Sequence, residues 1–177
     1  MILIQKAKKS DLNQLKKLRL RSILEEPVML SYTSFMEEKK QNRLWWKFFF
    51  FSKHNYTFTL SNKNKIVGFV RFEKKFGFKA KHKGTIQSIY IIPEERDKGF
   101  GKKLLIAIIE YLFSLKLVTK IDIVVCSLNH KMLKIVESLN FKEWGEEPRA
   151  IYYMGSYYSD KLFYLAQKEK KNEKNSI

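Results

Sequence analysis

Pro93-Glu94-Glu95-Arg96-Asp97-Lys98-Gly99-Phe100-Gly101 separates two stretches of different periodicity. Before it stands a β-type apolar run, Ile86-Gln87-Ser88-Ile89-Tyr90-Ile91-Ile92. After it, Lys102 to Phe113 places its apolar residues at helical spacing. The order is therefore strand, basic glycine-containing turn, helix. Such a turn gathers unpaired backbone N–H groups and the positive end of a helix dipole at one point, an arrangement suited to a phosphate or pyrophosphate. The two glycines let the backbone come close, and Arg96, Lys98 and Lys102 add charge. Two common phosphate loops are excluded. No Gly is followed after four residues by Gly-Lys-Ser/Thr, and position 104, where a dinucleotide fingerprint needs its third glycine, is Leu.

Length and composition narrow the setting. The chain has 177 residues, enough for one domain with a substantial core, and 45% of them are apolar, so it is not a disordered polymer. The domain is expected to span 1–166. The tail 167–177, rich in Lys and poor in apolar residues, is expected to fray. No apolar run reaches the length of a membrane span; Trp45 to Phe51 is too short and contains Lys47. Without a leader-like N-terminus, and with a single cysteine, Cys126, placed in an expected strand, the chain reads as cytoplasmic, with Cys126 a core residue. The net charge is +17, yet only six of the 35 cations are Arg, and the lysines are spread over every segment. That pattern argues for a compositional bias over a nucleic-acid footprint, although a basic surface steers anionic ligands toward it.

The remaining elements follow from periodicity and punctuation. A strand is expected over 2–6, then a helix capped by Ser10 or Asp11, with Leu12, Leu15, Leu18 and Leu20 on one face and Pro27 beyond its end. A second helix is expected over 34–50, with core as the first expectation for its Trp and Phe cluster. Strands are expected at 56–61, 65–74, 84–92, 120–126, 141–153 and 157–167, and helices at 100–115 and 130–138. Gly145 to Pro148 reads as a chain-reversing loop.

Arg96-Asp97-Lys98-Gly99-Phe100-Gly101 fits the pattern Arg/Gln-x-x-Gly-x-Gly/Ala, and through it the chain resembles the GNAT family of N-acetyltransferases. Supporting matches run from the N-terminal strand to Gly155-Ser156-Tyr157-Tyr158-Ser159-Asp160, and include Lys65 to Phe72 and Val124 to Phe141. The resemblance implies an α+β, GNAT-type acyl-CoA N-acyltransferase fold. Its mixed central sheet has about seven strands flanked by about four helices, with the fourth and fifth strands parallel and splayed. It also implies direct acetyl transfer from acetyl-CoA, with no metal, to the amine of a small molecule or a peptide N-terminus. The pyrophosphate would lie on Arg96, Asp97, Lys98, Gly99, Phe100, Gly101 and Lys102. The pantetheine arm would extend along Ile89, Tyr90 and Ile91, with Asn129 as a further partner or simply a helix cap. The N–H of Ile91 would stabilise the oxyanion.

Two family positions differ here. A tyrosine that protonates the leaving thiolate in many members is replaced by Val136, and a strand-four glutamate by Gln87, which is no base. Tyr157 or Tyr158 is the expected replacement acid, and Glu37, Glu38 and Glu73 are candidate bases. The acceptor is expected between residues 25–33 and 152–158. An exposed C-terminal edge strand would permit a homodimer. The departures keep open a binding-only acyl-CoA sensor, and the charge keeps open a nucleic-acid or ribosome-associated protein, which no motif supports.

Overall fold

The computed structural model describes residues 1–29 and 32–167. Seven strands form one sheet: β1 (Ile2–Lys6), β2 (Asn55–Asn62), β3 (Lys65–Lys74), β4 (Lys83–Ile91), β5 (Lys120–Cys126), β6 (Lys142–Tyr153) and β7 (Ser156–Ala166). Their order is β1-β2-β3-β4-β5-β7-β6, antiparallel except for β4 and β5. Five helices cover it: α1 (Leu12–Glu25), α2 (Phe35–Lys39), α3 (Arg43–Phe51), α4 (Phe100–Ser114) and α5 (His130–Ser138).

The single helix expected over 34–50 is two. Ser34 caps α2 through the backbone N–H of Glu37, and Asn42 accepts from the N–H of Trp45 to start α3 afresh. A side-chain acceptor at position 42 competes with helix continuation, and this break raises the helix count to five. Gly145 to Pro148 does not reverse the chain; it continues within β6, between two register irregularities. Gln167, expected in the frayed tail, donates its backbone N–H to Thr119 O. Residues 168–177 lie outside the described residues.

Strand alternation sorts the core to two faces. Phe69 meets Phe50 of α3, whereas Phe72 and Phe58 lie on the side of Tyr56 and Tyr111, the latter from α4. Thus α1 and α3 cover one face through Leu12, Leu15, Leu18, Trp46 and Phe50. On the other face lies α4, through Leu104, Leu105, Ile108 and Leu112. Gly101 at the start of α4 sits beside Ile135, which puts α5 on the same face as α4.

Gly84 keeps β3 and β4 in close pairing. A Cβ there would lie 2.4 Å from Glu73 O and 2.2 Å from Phe72 Cζ. The carbonyl is backbone and cannot swing aside, so Gly84→Ala is expected to cost about 1–3 kcal/mol, read as a lower urea midpoint at unchanged slope.

Candidate functional site

The parallel pairing of β4 with β5 is short. It runs from Lys83 opposite Lys120 to Ile86 opposite Ile123, while β4 continues to Ile91 and β5 to Cys126. At the end of the pairing, β4 carries one extra residue against β3: Ser88 faces Arg71 and Ile86 faces Phe72, leaving Gln87 as a bulge. Beyond it the strands part. Their facing edges hold backbone groups that strand pairing does not satisfy, and such groups need a ligand or water.

The direction of these groups follows from one hydrogen bond. Ile92 N–H donates to Val67 O at 2.9 Å, toward β3. Alternation then turns the backbone N–H groups of Ile91 and Ile89 into the gap and that of Tyr90 toward β3. Of the three residues expected to line the pantetheine arm, Ile89 and Ile91 present their backbones there. Tyr90 does not; it pairs with Phe69, and its phenol donates to Glu25 at the end of α1. Burial and that carboxylate push the phenol's pKa up. A cleft of about 460 Å³ follows the gap, and Ser88 and Ile89 line it whereas Ile91 does not.

The glycine turn sits at the far end of β4. Asp97 and Gly99 are both left-handed, with φ of 61° and 73°. The first helical bond of α4 is Lys103 N–H to Gly99 O at 3.2 Å, so the N–H groups of Phe100, Gly101 and Lys102 have no partner one turn back and point out of the helix end. A Cβ on Gly101 would meet only Ile135 Cδ1, at 3.8 Å; the protein's own packing does not demand glycine there. The charged side chains differ from expectation. Arg96 is turned away from the turn: its Nε donates to Ile91 O at 2.9 Å and Nη1 to Glu26 at 2.7 Å. Lys98 reaches Glu95 at 2.8 Å, and Asp97 pairs with Lys131 at 2.6 Å. Arg96 thus fastens the end of α1 to the end of β4.

On the α1–α3 side the cleft is walled by Trp45, Phe49, Arg19, Arg71 and Glu38. Arg19 and Glu38, each side chain 5% exposed, form a two-pronged pair at 2.6 and 2.9 Å; Thr33 adds a hydrogen bond to Glu38, and Arg19 also donates to Ser88 Oγ. Toward α5 the lining residues are Asn129, Met132, Cys126 and Asp160. Asn129 accepts from Met132 N–H at 3.1 Å, so it does cap α5, while its NH₂ group is left for another partner. Tyr32 donates to buried Asp160 at 2.7 Å, and burial together with that carboxylate pushes the phenol well above its ordinary range. Burial raises the Cys126 thiol as well, consistent with a core thiol.

The expected acids and bases are sorted by this geometry. Asp160 of β7 lines the cleft, so Tyr158 shares its strand face and Tyr157 does not. Tyr157 is half exposed, packed 4.9 Å from Tyr152 and under the Arg149 guanidinium at 3.8 Å. Glu37 is bound into its own helix cap, which holds its pKa below the usual carboxylate value; Glu38 is locked to Arg19; Glu73 accepts from Arg71 at 3.2 Å. Val136 is fully buried in the core. Gln87 is exposed in the cleft wall. The expected acceptor residues Leu30 and Ser31 lie outside the described residues, while Val28, Met29, Tyr32 and Thr33 do line the cleft. Arg19 and Arg71 were not singled out from sequence. Their signal was an Arg on the apolar face of a helix and another inside an apolar strand, in a chain that otherwise uses Lys. Among the described residues no three His, Cys, Asp or Glu side chains gather as metal ligands, and no helix is long and apolar enough to cross a membrane.

A family model described as the acetyltransferase (GNAT) family matches residues 19–141. No curated protein matches the chain by sequence. Solved structures share the fold. An N-acetyltransferase from Staphylococcus aureus Mu50 is 20% identical, with a TM-score of 0.78, over 94% of this chain and 98% of its own. The ribosomal-protein-S5-alanine acetyltransferase from Vibrio fischeri is 21% identical, with a TM-score of 0.76, over 93% and 92%. The spermidine N-acetyltransferase from Vibrio cholerae, in complex with CoA and spermine, is 24% identical, with a TM-score of 0.73, over 94% and 95%.

Proposed function

Because the chain belongs to the GNAT acetyltransferase family, we propose that it moves the acetyl group of acetyl-CoA directly onto a primary amine of a small molecule or a peptide N-terminus. One observation supports this above the others. The gap between β4 and β5 carries free backbone N–H groups, joins a cleft reaching both faces of the sheet, and ends at an open helix N-terminus.

Acetyl-CoA supplies the acetyl thioester as cosubstrate. The N–H groups of Phe100, Gly101 and Lys102, with the left-handed turn Asp97–Gly99, hold the pyrophosphate. The backbones of Ile89 and Ile91 and the side-chain NH₂ of Asn129 hold the pantetheine arm as a short extension of the sheet. The N–H that polarises the thioester carbonyl is assigned to Ile89, which lines the cleft. Ile91, the residue expected from sequence, lies beyond the lining, with its carbonyl on Arg96. The phenol assigned to return a proton to the departing thiolate is Tyr158, which shares a strand face with Asp160 and pairs with Ile151, both of which line the cleft. With Glu37, Glu38 and Glu73 engaged, the acceptor loses its proton to water, and the enzyme works best on amines that are partly neutral near pH 8.

The test is release of the CoA thiol from acetyl-CoA across a panel of amines. Tyr158→Phe is expected to lower kcat on the order of 10²-fold, the lower end for a general acid, and to change the alkaline limb of the pH profile. Tyr157→Phe is expected to do neither. Binding of acetyl-CoA with no transfer to any amine would instead favour a sensor module, the reading that Val136 and Gln87 support.

A further inference from the structure

The acceptor wall of the cleft carries a positive group that the acetyl transfer itself does not use. Arg71 lies in the apolar run Phe69-Val70-Arg71-Phe72 of β3, with its side chain 7% exposed. Its guanidinium stacks 4.1 Å over the Phe49 ring. Nη1 donates to Glu73 at 3.2 Å, and Nε is buried with no partner. An unsatisfied donor on a buried cation is costly, and it borders a cleft with room for a ligand.

The neighbouring charges sharpen this. Arg71 and Ser88 are partners across the ladder, Arg19 donates to Ser88 Oγ at 3.2 Å, and both guanidinium groups lie over the Phe49 ring, Arg19 at 5.6 Å and Arg71 at 4.1 Å. Glu38, held also by Thr33, answers Arg19. Glu73, itself half exposed, answers only one nitrogen of Arg71. Burial, with the charge of Arg19 behind it, pulls the Arg71 pKa down against the pull of Glu73. An anion lying in the cleft would complete the fork. A guanidinium edge offers two parallel N–H groups to a carboxylate, and the stacked rings of Trp45 and Phe49 wall the cleft beside it. Ser88 precedes Ile89, whose N–H is assigned above to the thioester carbonyl, so an anion here lies a few bonds' length from the reacting amine.

We propose that Arg71 binds a carboxylate of the acceptor, so that the acceptor is an amino acid or a close relative with amine and carboxylate a few bonds apart, and not a polyamine or a peptide N-terminus. This rests on the transferase reading of the same cleft.

The experiment supplies the full-length protein with acetyl-CoA and a panel of amino acids, each beside the amine its decarboxylation yields, with spermine added, and reads thiol release. At least one amino acid is expected to exceed its amine in kcat/KM by roughly 10²-fold, since a site built to bond a group rejects the analogue that lacks it. Arg71→Gln is expected to narrow that margin to within about threefold, chiefly by raising KM for the acid, and Arg71→Lys to restore part of it. Melting temperature and calorimetric titration with acetyl-CoA show whether each variant keeps its fold and its cosubstrate site. The wild-type margin needs no variant at all. Amines or spermine outrunning the acids, a margin that survives Arg71→Gln, or no turnover of any acid by protein that binds acetyl-CoA would each overturn the inference. Wild type that fails to bind acetyl-CoA would bring down the transferase reading, and this one with it.

Discussion

Gly101→Glu loses acetyl-CoA binding by a factor on the order of 10²–10⁴ while the protein stays folded. The size follows from removing two or so charge-assisted hydrogen bonds, at about 1.5–3 kcal/mol each, from a pyrophosphate on the α4 N-terminus. Folding is preserved because the space beside Gly101 is open; its nearest neighbour would be Ile135 Cδ1 at 3.8 Å. Gly101→Ala separates the two effects further. Alanine is the better helix former and the motif accepts it at this position, so stability should rise slightly while affinity for acetyl-CoA stays close to wild type. Calorimetric titration beside thermal melts reads both. Unchanged affinity in Gly101→Glu would remove the pyrophosphate from this turn. Gly99 is a poorer probe, because its φ of 73° strains any other residue whatever the ligand does.

Glu38→Ala should be the most destabilising of the single substitutions considered. It removes the carboxylate that answers a guanidinium whose side chain is 5% exposed and leaves Arg19 and Arg71 as two cations over the same Phe49 ring. Breaking a buried pair from one side costs about 3–5 kcal/mol. At about 2–4 °C per kcal/mol for a chain of this size, the melting temperature should fall by roughly 6–20 °C. The double variant Arg19→Met/Glu38→Leu should be less harmed than the sum of its parts, because no lone charge remains. A Glu38→Ala melt within a degree or two of wild type would mean that water reaches Arg19.

The fold was legible because its signals are local. The alternation of Ile86–Ile92, the glycines at 99 and 101 and the helical spacing after them place β4, the turn and α4 within a residue of their observed bounds. The break at Asn42 was harder to read, since the Trp and Phe residues on either side favour packing in any conformation. The cosubstrate side of the site was likewise readable in outline. The groups proposed to bind there are backbone N–H groups, and glycine spacing reports on backbone. Side-chain destinations were not readable. Arg96 belongs to the motif yet spends its guanidinium on Ile91 O and Glu26, and only the packing of α1 against β4 decides that. The acceptor wall was the least visible part. Its polar contacts join residues far apart in the chain, Arg19 to Glu38 and to Ser88, and no local pattern announces them. One clue was present. In a lysine-rich chain two of the six arginines, at 19 and 71, line this cleft and make ion pairs there, where a planar fork does what a lysine cannot.

The short seam between β4 and β5 has a consequence for traffic. The cleft that begins there is walled by α3 on one face of the sheet and by the start of α5 on the other. On the proposed reading, cosubstrate and acceptor would lie against opposite faces of the sheet and meet at the gap, so neither need depart before its counterpart arrives. A porous sheet of this kind spares the protein from carrying cargo on a side chain of its own.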